Sequence, residues 1–230
     1  QRIGARLKAV SDDVKVLMYV RPQEIMWRSL HSQQAKKFMV KSGAALWGTD
    51  DFLPPVFAER AVHYHQTLGL FADVFGQDAI FVRLYDRARF VGRDVVLDFL
   101  AFLGLDWTLF TPEDRDINRS VGWKGVAFGV WVADEVHGAL QALNPGKLVG
   151  KPYIRAVKRT AEIFDDEDWI GRDADPMTTA DKRAIRAHYE ADNQRLYRTY
   201  FAGEEVFAPP GEGRGDPVLP DAIPRAEMVV

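Results

Sequence analysis

The sequence of 230 residues contains no cysteine, and this absence removes several classes of site. A chain without thiols cannot build a disulfide framework, a zinc–thiolate centre, an iron–sulfur cluster or a cysteine nucleophile. His63 and His65 stand two residues apart on a predicted helix, so they point in different directions and cannot share a metal ion. We therefore expect no metal in this protein.

The sequence also lacks a large excess of one charge sign and any long apolar run. Lys and Arg total 30 against 33 Asp and Glu, which gives a formal net charge of −3. Because a nucleic-acid backbone is held mainly by clustered basic residues, we expect no nucleic-acid partner. Apolar runs such as 16–20 are far shorter than the roughly 20 residues of a membrane-spanning helix. With no signal peptide visible, the sequence predicts a cytoplasmic protein without a membrane span.

Two apolar runs predict β-strands at 14–20 and 79–85, because continuous apolar sequence is typical of strands that are covered on both faces. Helical spacing of apolar residues predicts helices at about 23–41, 56–75, 95–103, 124–143, 151–164 and 178–202, the last with Thr179 or Asp181 as N-cap. The order of strand, helices, strand and helix predicts an α/β fold with a parallel sheet flanked by helices and a mostly helical C-terminal half.

The predicted sheet has only two strands, whereas a sheet of this class usually has about five. Either the chain contains further strands that its apolar pattern does not reveal, or the other strands lie upstream of Gln1, so that the chain is a fragment. Partner subunits that cover the sheet are a further alternative, and a homo-oligomer stays open. Residues 1–202 form the predicted domain. Residues 203–230 are rich in proline and glycine, which predicts a mobile tail or an arm that lies on another surface.

The stretch 14–29, with the sequence VKVLMYVRPQEIMWRS, carries the most chemical information. The strand delivers Arg21 at its carboxyl end, a helix follows at once, and Ser29 stands eight residues after the arginine. Ligands of open α/β sheets collect at this end of the strands, and a helix N-terminus favours phosphate. The sequence therefore predicts an anion site here. As the alternative, Arg21 pairs with Glu24, and Ser29 is simply small enough to pack.

This stretch resembles the 3′-phosphate-binding segment of sulfotransferases that use 3′-phosphoadenosine 5′-phosphosulfate (PAPS), in which a strand, an Arg and a Ser eight residues later follow one another. Further resemblances come in the order of that family: the strand end FVRLYD at 81–86, the phrase DFLAFLG at 98–104, DINRS at 116–120 and NQRLY at 193–197. Together these phrases span about 14–202.

The resemblance implies a P-loop NTPase-like sheet and transfer of a sulfuryl group from PAPS to a hydroxyl or amine of a small-molecule or carbohydrate acceptor, without a metal. Arg21 and Ser29 would hold the 3′-phosphate, Tyr85 would lie near the adenine or ribose, and Arg119 would add a donor to the phosphates. A tyrosine that closes a core strand is an equal alternative for Tyr85. Some members of the family bind the cofactor phosphates with an Arg-Lys-Gly loop, which is absent here. Lys124 would take over that role, or, as the alternative, it is an exposed lysine beside a turn.

The chain departs from the family in one important respect. The family's 5′-phosphosulfate loop and its acceptor-activating His or Glu usually precede the Arg…Ser segment, and no residue here takes their place; KSGAALW at 41–47 echoes the loop but comes after the segment. Loss of one electrostatic donor can cost about 10²–10³ in rate. We therefore expect an enzyme as the parent protein, assign no catalytic residue, and leave open whether this chain is active. The alternative is a non-catalytic or truncated module that acts in protein–protein interaction.

Overall fold

The computed structural model describes residues 6–7, 11, 13–36, 62–111, 130–131, 175 and 177–213. Within these residues the strands are β1 (Val16–Val20) and β2 (Ile80–Leu84). The α-helices are α1 (Gln23–Lys36), α2 (Tyr64–Phe75), α3 (Val95–Phe102) and α4 (Thr179–Tyr200). The predicted helix 151–164 and nearly all of 124–143 lie outside the described residues.

β1 and β2 pair in parallel, with Val16 opposite Ile80 and Val20 opposite Leu84. The mixed α/β class and the small parallel sheet are therefore confirmed. A P-loop NTPase-like topology needs more strands than the two that the described ranges contain, so that part of the fold stays a prediction. No helix in the described ranges is long and apolar enough to cross a membrane.

The chain divides into two compact units. The first comprises Gln1–Gln23, Arg60–Ile117 and His188–Pro209 and contains both strands, and the second comprises Glu24–Glu59, Asn118–Ala187 and Pro210–Val230. The core of the first unit forms where apolar residues of the sheet, of α2 and of the end of α4 meet. Its buried members are Val20, Tyr64, Leu68, Ile80, Leu196, Tyr197 and Phe207.

The start of the predicted tail packs within this first unit. The Phe207 ring lies edge-on to Tyr197 and Tyr64, with ring centres 5.5 Å and 6.2 Å away. Burying an aromatic side chain of this size is strongly favourable, so the segment just after α4 has a fixed place. The domain boundary at 202/203 stays a prediction, and residues 214–230 lie outside the described ranges.

Two of the helices, α3 and α4, begin at polar side chains that bond to their first N–H groups. Asp94 caps α3 by accepting hydrogen bonds from the backbone N–H of Val96 and Leu97. For α4 the cap is Thr178 rather than the predicted Thr179 or Asp181. The Thr178 hydroxyl accepts from the Asp181 N–H at 3.1 Å, and the Asp181 carboxylate accepts from the Thr178 N–H at 2.8 Å. This reciprocal pair is a capping box.

The second unit holds two ion pairs with little exposure to solvent. Arg186 Nη2 lies 2.6 Å from Glu24 Oε1, and Lys182 Nζ lies 2.6 Å from Asp175 Oδ2. Lys182 also donates to the Glu212 carbonyl at 3.0 Å, which ties the chain after residue 209 to the first turns of α4. These contacts satisfy charges that would be costly to bury alone.

Candidate functional site

The parallel pairing of β1 and β2 brings Arg21 and Tyr85 together at the carboxyl ends of the strands. Arg21 directly follows β1 and Tyr85 directly follows β2, and the Tyr85 N–H donates to the Val20 carbonyl at 2.6 Å. The guanidinium carbon of Arg21 lies over the Tyr85 ring, 5.7 Å from its centre. Two of the residues that the sequence singled out are therefore neighbours.

The Tyr85 ring is exposed, but it packs against two other aromatic rings. Its centre lies 5.2 Å from that of Phe90 and 6.5 Å from that of Tyr19, both nearly perpendicular to it. Tyr19 and Phe90 also contact each other edge-on, at 5.6 Å. Edge-to-face packing is the favourable arrangement of aromatic pairs. Because Phe90 is buried, the cluster anchors an accessible ring on the core of the first unit.

The backbone that carries Arg21 is held on both sides. The hydroxyl of the buried Tyr64 donates to the Arg21 carbonyl at 2.8 Å. Two residues on, the fully buried Gln23 exchanges two amide hydrogen bonds with Asn193, at 2.6 Å and 3.1 Å. Buried amides that satisfy each other in this way have a single favourable orientation. The junction between β1 and α1 is therefore a fixed position from which the arginine side chain projects.

Next to the aromatic cluster lies the buried carboxylate of Asp98. In the sequence, this residue stood out only as the first residue of the phrase DFLAFLG. Asp98 of α3 accepts hydrogen bonds from the Tyr19 hydroxyl and from Arg83 Nη1, both at 2.6 Å, and from the Val91 N–H at 3.2 Å. Arg83 could have indicated such a carboxylate from the sequence, because a charged residue within an apolar strand needs a partner of opposite charge.

These contacts shift the pKa values of both acidic groups. Burial acts to raise the pKa of Asp98, but the hydrogen bonds from Tyr19, Arg83 and Val91 outweigh burial and hold the pKa below its ordinary value. Burial, together with the Asp98 carboxylate, raises the pKa of Tyr19 to about 12. At neutral pH Asp98 is an anion and Tyr19 is protonated. Asp98 is a poor catalytic base, because its pKa is low and its oxygens are already occupied.

A carboxylate of the same unit binds the free N–H groups at the N-terminus of α2. Asp192 of α4 accepts hydrogen bonds from the backbone N–H groups of His65 at 3.0 Å and Gln66 at 3.1 Å. A carboxylate placed there satisfies helical N–H groups and neutralises the positive end of the dipole. No local pattern could have shown this cap, because Asp192 is 126 residues or more along the chain from the groups it binds.

Ser29 lies in α1, within the second unit, and is half-buried. Its contact with a phosphate stays a prediction. Glu24, the alternative partner that the sequence offered for Arg21, accepts two hydrogen bonds from Arg186, at 2.6 Å and 3.3 Å. The negative charge of Glu24 is therefore paired with Arg186, whose side chain is only slightly exposed.

The remaining candidates of the sequence analysis are less informative. Arg119, Lys124 and the segments 41–47 and 116–120 lie outside the described residues. His31 is buried, and burial lowers its pKa to about 4, so it carries no charge at neutral pH. In the part of the chain that the structure describes, no group of three or more histidine, aspartate or glutamate side chains is arranged to hold a metal ion.

Comparison with known proteins gives one weak similarity. The chain is 24% identical to a protein of Archaeoglobus fulgidus named "Uncharacterized protein" over 193 residues, which are 84% of this chain and 47% of that protein. The chain therefore spans about half the length of this relative. No protein-family model and no solved structure matches the sequence. At this identity the similarity does not assign the chain to a family.

Proposed function

We propose that the protein is a sulfotransferase-type protein that binds the nucleotide of PAPS at the carboxyl ends of β1 and β2. The observation that carries the proposal is the contact between Arg21 and Tyr85, which places a cation and an exposed aromatic ring together at this edge. Ligands of open α/β sheets bind at this end of the strands, and arginine is well suited to a phosphate because its planar fork donates two hydrogen bonds.

The proposed reaction transfers a sulfuryl group to an acceptor hydroxyl or amine. The acceptor atom attacks sulfur, the bond between sulfur and the oxygen of the 5′-phosphate breaks, and the products are a sulfated acceptor, 3′-phosphoadenosine 5′-phosphate and a proton. The 3′-phosphate does not react. Arg21 would bind it and so supply binding energy remote from the reacting atoms. The resemblance adds Ser29 and Arg119 as further donors to the cofactor phosphates.

Calorimetry with 3′-phosphoadenosine 5′-phosphate tests the proposal directly. We expect the chain to bind this nucleotide, and Arg21→Ala to weaken binding about tenfold to a hundredfold, because a charge-assisted hydrogen bond to phosphate is lost. The control is Arg89→Ala, which removes the same charge from an exposed arginine in a loose 3.7 Å pair with Asp86. Adenosine 5′-phosphate, which has no 3′-phosphate, should bind both variants and the unmodified chain equally.

Either of two results would refute this function. If the unmodified chain binds no 3′-phosphoadenosine 5′-phosphate, the cofactor proposal fails. If Arg21→Ala and Arg89→Ala weaken binding equally, the effect is a general loss of positive charge and not a specific contact. A small-molecule or carbohydrate acceptor and a cytoplasmic location belong to the same proposal. Transfer of labelled sulfate from PAPS to a panel of such acceptors would show whether this chain itself turns over.

A second candidate function is that of a non-catalytic module that associates with a second copy of this chain. The observation that favours it is a set of exposed apolar side chains along and just after α3: Val96, Phe99, Leu103, Leu105, Leu109 and Phe110. The only acidic residues in this stretch, Asp98 and Asp106, accept hydrogen bonds from neighbouring parts of the chain. Apart from the exposed Asp106, the outward-facing side chains named here are apolar, and like-with-like contact can bury them.

Sedimentation velocity over a range of concentrations tests the second candidate. Self-association through this patch predicts a dimer that Leu109→Lys abolishes, since Leu109 is 79% exposed and its replacement should not disturb folding. A chain that stays monomeric at all concentrations, or a dimer that Leu109→Lys leaves intact, would rule out association through these residues.

A further inference from the structure

We propose that Tyr85 is a positioning residue for Arg21, which it holds through its ring face, and that it does not recognise the base of the nucleotide. This inference deepens the proposed function and rests on it, in that the anion bound by Arg21 is taken to be the 3′-phosphate. It replaces the role that the resemblance suggested for Tyr85, a place near the adenine or ribose.

The geometry favours a contact between the guanidinium and the ring. The distance of 5.7 Å from the guanidinium carbon to the ring centre lies within the range in which an arginine is attracted to an aromatic face. An arginine side chain has many rotamers, and ordering it when a ligand binds costs free energy. A ring that holds the guanidinium before the ligand arrives removes part of that cost and so raises affinity for the anion.

An arginine can meet an aromatic face and a phosphate at the same time. The attraction to a ring uses the face or edge of the planar cation, while its N–H donors radiate in the plane and can form a fork with phosphate oxygens. Tyr85 would therefore support Arg21 without competing for its hydrogen bonds. The ring itself is held by Phe90 and Tyr19, and Tyr19 in turn by Asp98, so the support extends to the buried carboxylate.

The surroundings of Tyr85 argue against a role in reading the base. Arg21 lies over one face of the ring, so an adenine that stacked on that face would have to displace the cation. Among the described residues, the Tyr85 hydroxyl forms no hydrogen bond with the protein. The Tyr19 hydroxyl, by contrast, donates to Asp98. The ring, and not the hydroxyl, is therefore the part of Tyr85 that contacts Arg21.

The test compares Tyr85→Phe with Tyr85→Leu by calorimetry. The probes are 3′-phosphoadenosine 5′-phosphate and adenosine 5′-phosphate, and Phe110→Leu serves as the control for loss of an exposed aromatic ring. We expect Tyr85→Phe to bind like the unmodified chain. Tyr85→Leu should bind the 3′-phosphorylated nucleotide about three- to fivefold more weakly, as loss of a cation–π contact predicts, and adenosine 5′-phosphate unchanged. In an Arg21→Ala background, Tyr85→Leu should have no further effect.

Three outcomes would overturn the inference while leaving the proposed function intact. Equal weakening of both nucleotides by Tyr85→Leu would show that the ring binds the base. Equal weakening by Tyr85→Phe and Tyr85→Leu would show that the hydroxyl matters. A full additional loss from Tyr85→Leu in the Arg21→Ala background would show that the two residues act independently.

If the unmodified chain binds no 3′-phosphoadenosine 5′-phosphate, the proposed function fails. The positioning role of Tyr85 can then still be tested by NMR of the ligand-free chain. The side-chain Nε–H resonance of Arg21 should be shifted upfield by the ring current of Tyr85, in contrast to that of the exposed Arg89. Tyr85→Phe should keep this shift and Tyr85→Leu should remove it. An Arg21 resonance that is the same in all three proteins would refute the positioning role.

Discussion

Two tyrosines at the carboxyl ends of the strands, Tyr19 and Tyr85, lie 6.5 Å apart between ring centres and yet have opposite surroundings. The Tyr19 hydroxyl donates to the buried Asp98. Tyr85 is 41% exposed, its hydroxyl has no protein partner in the part of the chain that the structure describes, and its ring face meets Arg21.

The difference separates a residue that builds the fold from one that supports a proposed ligand-binding side chain, Arg21. Polar groups that hold a core together are satisfied inside the protein, as Tyr19 is by Asp98. A residue at the mouth of a site keeps an accessible surface, and Tyr85 does so while its ring packs against Phe90 and Tyr19. The comparison predicts that changes around Tyr19 alter stability and that changes at Tyr85 alter binding.

The largest expected effect comes from removing the carboxylate that holds Tyr19. Asp98→Ala should lower the free energy of unfolding by about 2–4 kcal/mol, because three donors lose their acceptor and Arg83 loses its counter-ion. The partial exposure of Arg83 limits the cost. Guanidinium chloride denaturation followed by circular dichroism measures it, with Asp98→Asn as a control that keeps the side-chain volume. A loss below about 1 kcal/mol would mean that the network does not support the fold.

Tyr19→Phe should have a smaller effect, about 1–2 kcal/mol, because it removes one hydrogen bond to an ionised carboxylate and leaves the ring packing unchanged. The same denaturation experiment measures this loss. An unchanged unfolding midpoint would show that the Tyr19 hydroxyl contributes no more to stability than that of Tyr85.

The pH dependence of stability also distinguishes Tyr19 from an exposed tyrosine. The pKa of Tyr19 is raised to about 12 in the folded protein and is about 10 for an exposed tyrosine, so the folded state binds the proton more tightly. The stability that Tyr19 contributes is complete below pH 10 and is lost as the pH rises through 12. In a spectrophotometric titration of the phenols, Tyr19→Phe should remove a group that ionises near pH 12. Removal of one that ionises near pH 10 would contradict the assignment.

The smallest expected effect on stability is that of Tyr85→Phe. Its hydroxyl is bonded to no other described residue and the ring is retained, so the free energy of unfolding should change by less than about 0.5 kcal/mol. A loss comparable to that of Tyr19→Phe would show that Tyr85 belongs to the structural network, and it would remove the basis for treating the two tyrosines differently.

Sequence reasoning located the strands and the Arg21 and Tyr85 positions because apolar runs and strand ends are local patterns. It placed the first strand at 14–20 and the second at 79–85, within two residues of β1 and β2. It missed the carboxylates that hold the site together. Along the sequence Asp98 is the one polar residue of the apolar helix α3, and Asp192 is one of three acidic residues in α4. Their roles depend on contacts across the fold, which no spacing along the chain reveals.

A crystal structure of the chain grown with 3′-phosphoadenosine 5′-phosphate would show whether Arg21 binds the 3′-phosphate of an adenine nucleotide. We expect the 3′-phosphate oxygens within about 2.7–3.2 Å of the Arg21 guanidinium nitrogens, with that guanidinium still over the Tyr85 ring. A nucleotide bound elsewhere, or with its 3′-phosphate in solvent and away from Arg21, would contradict it, as would crystals without nucleotide at saturating concentration.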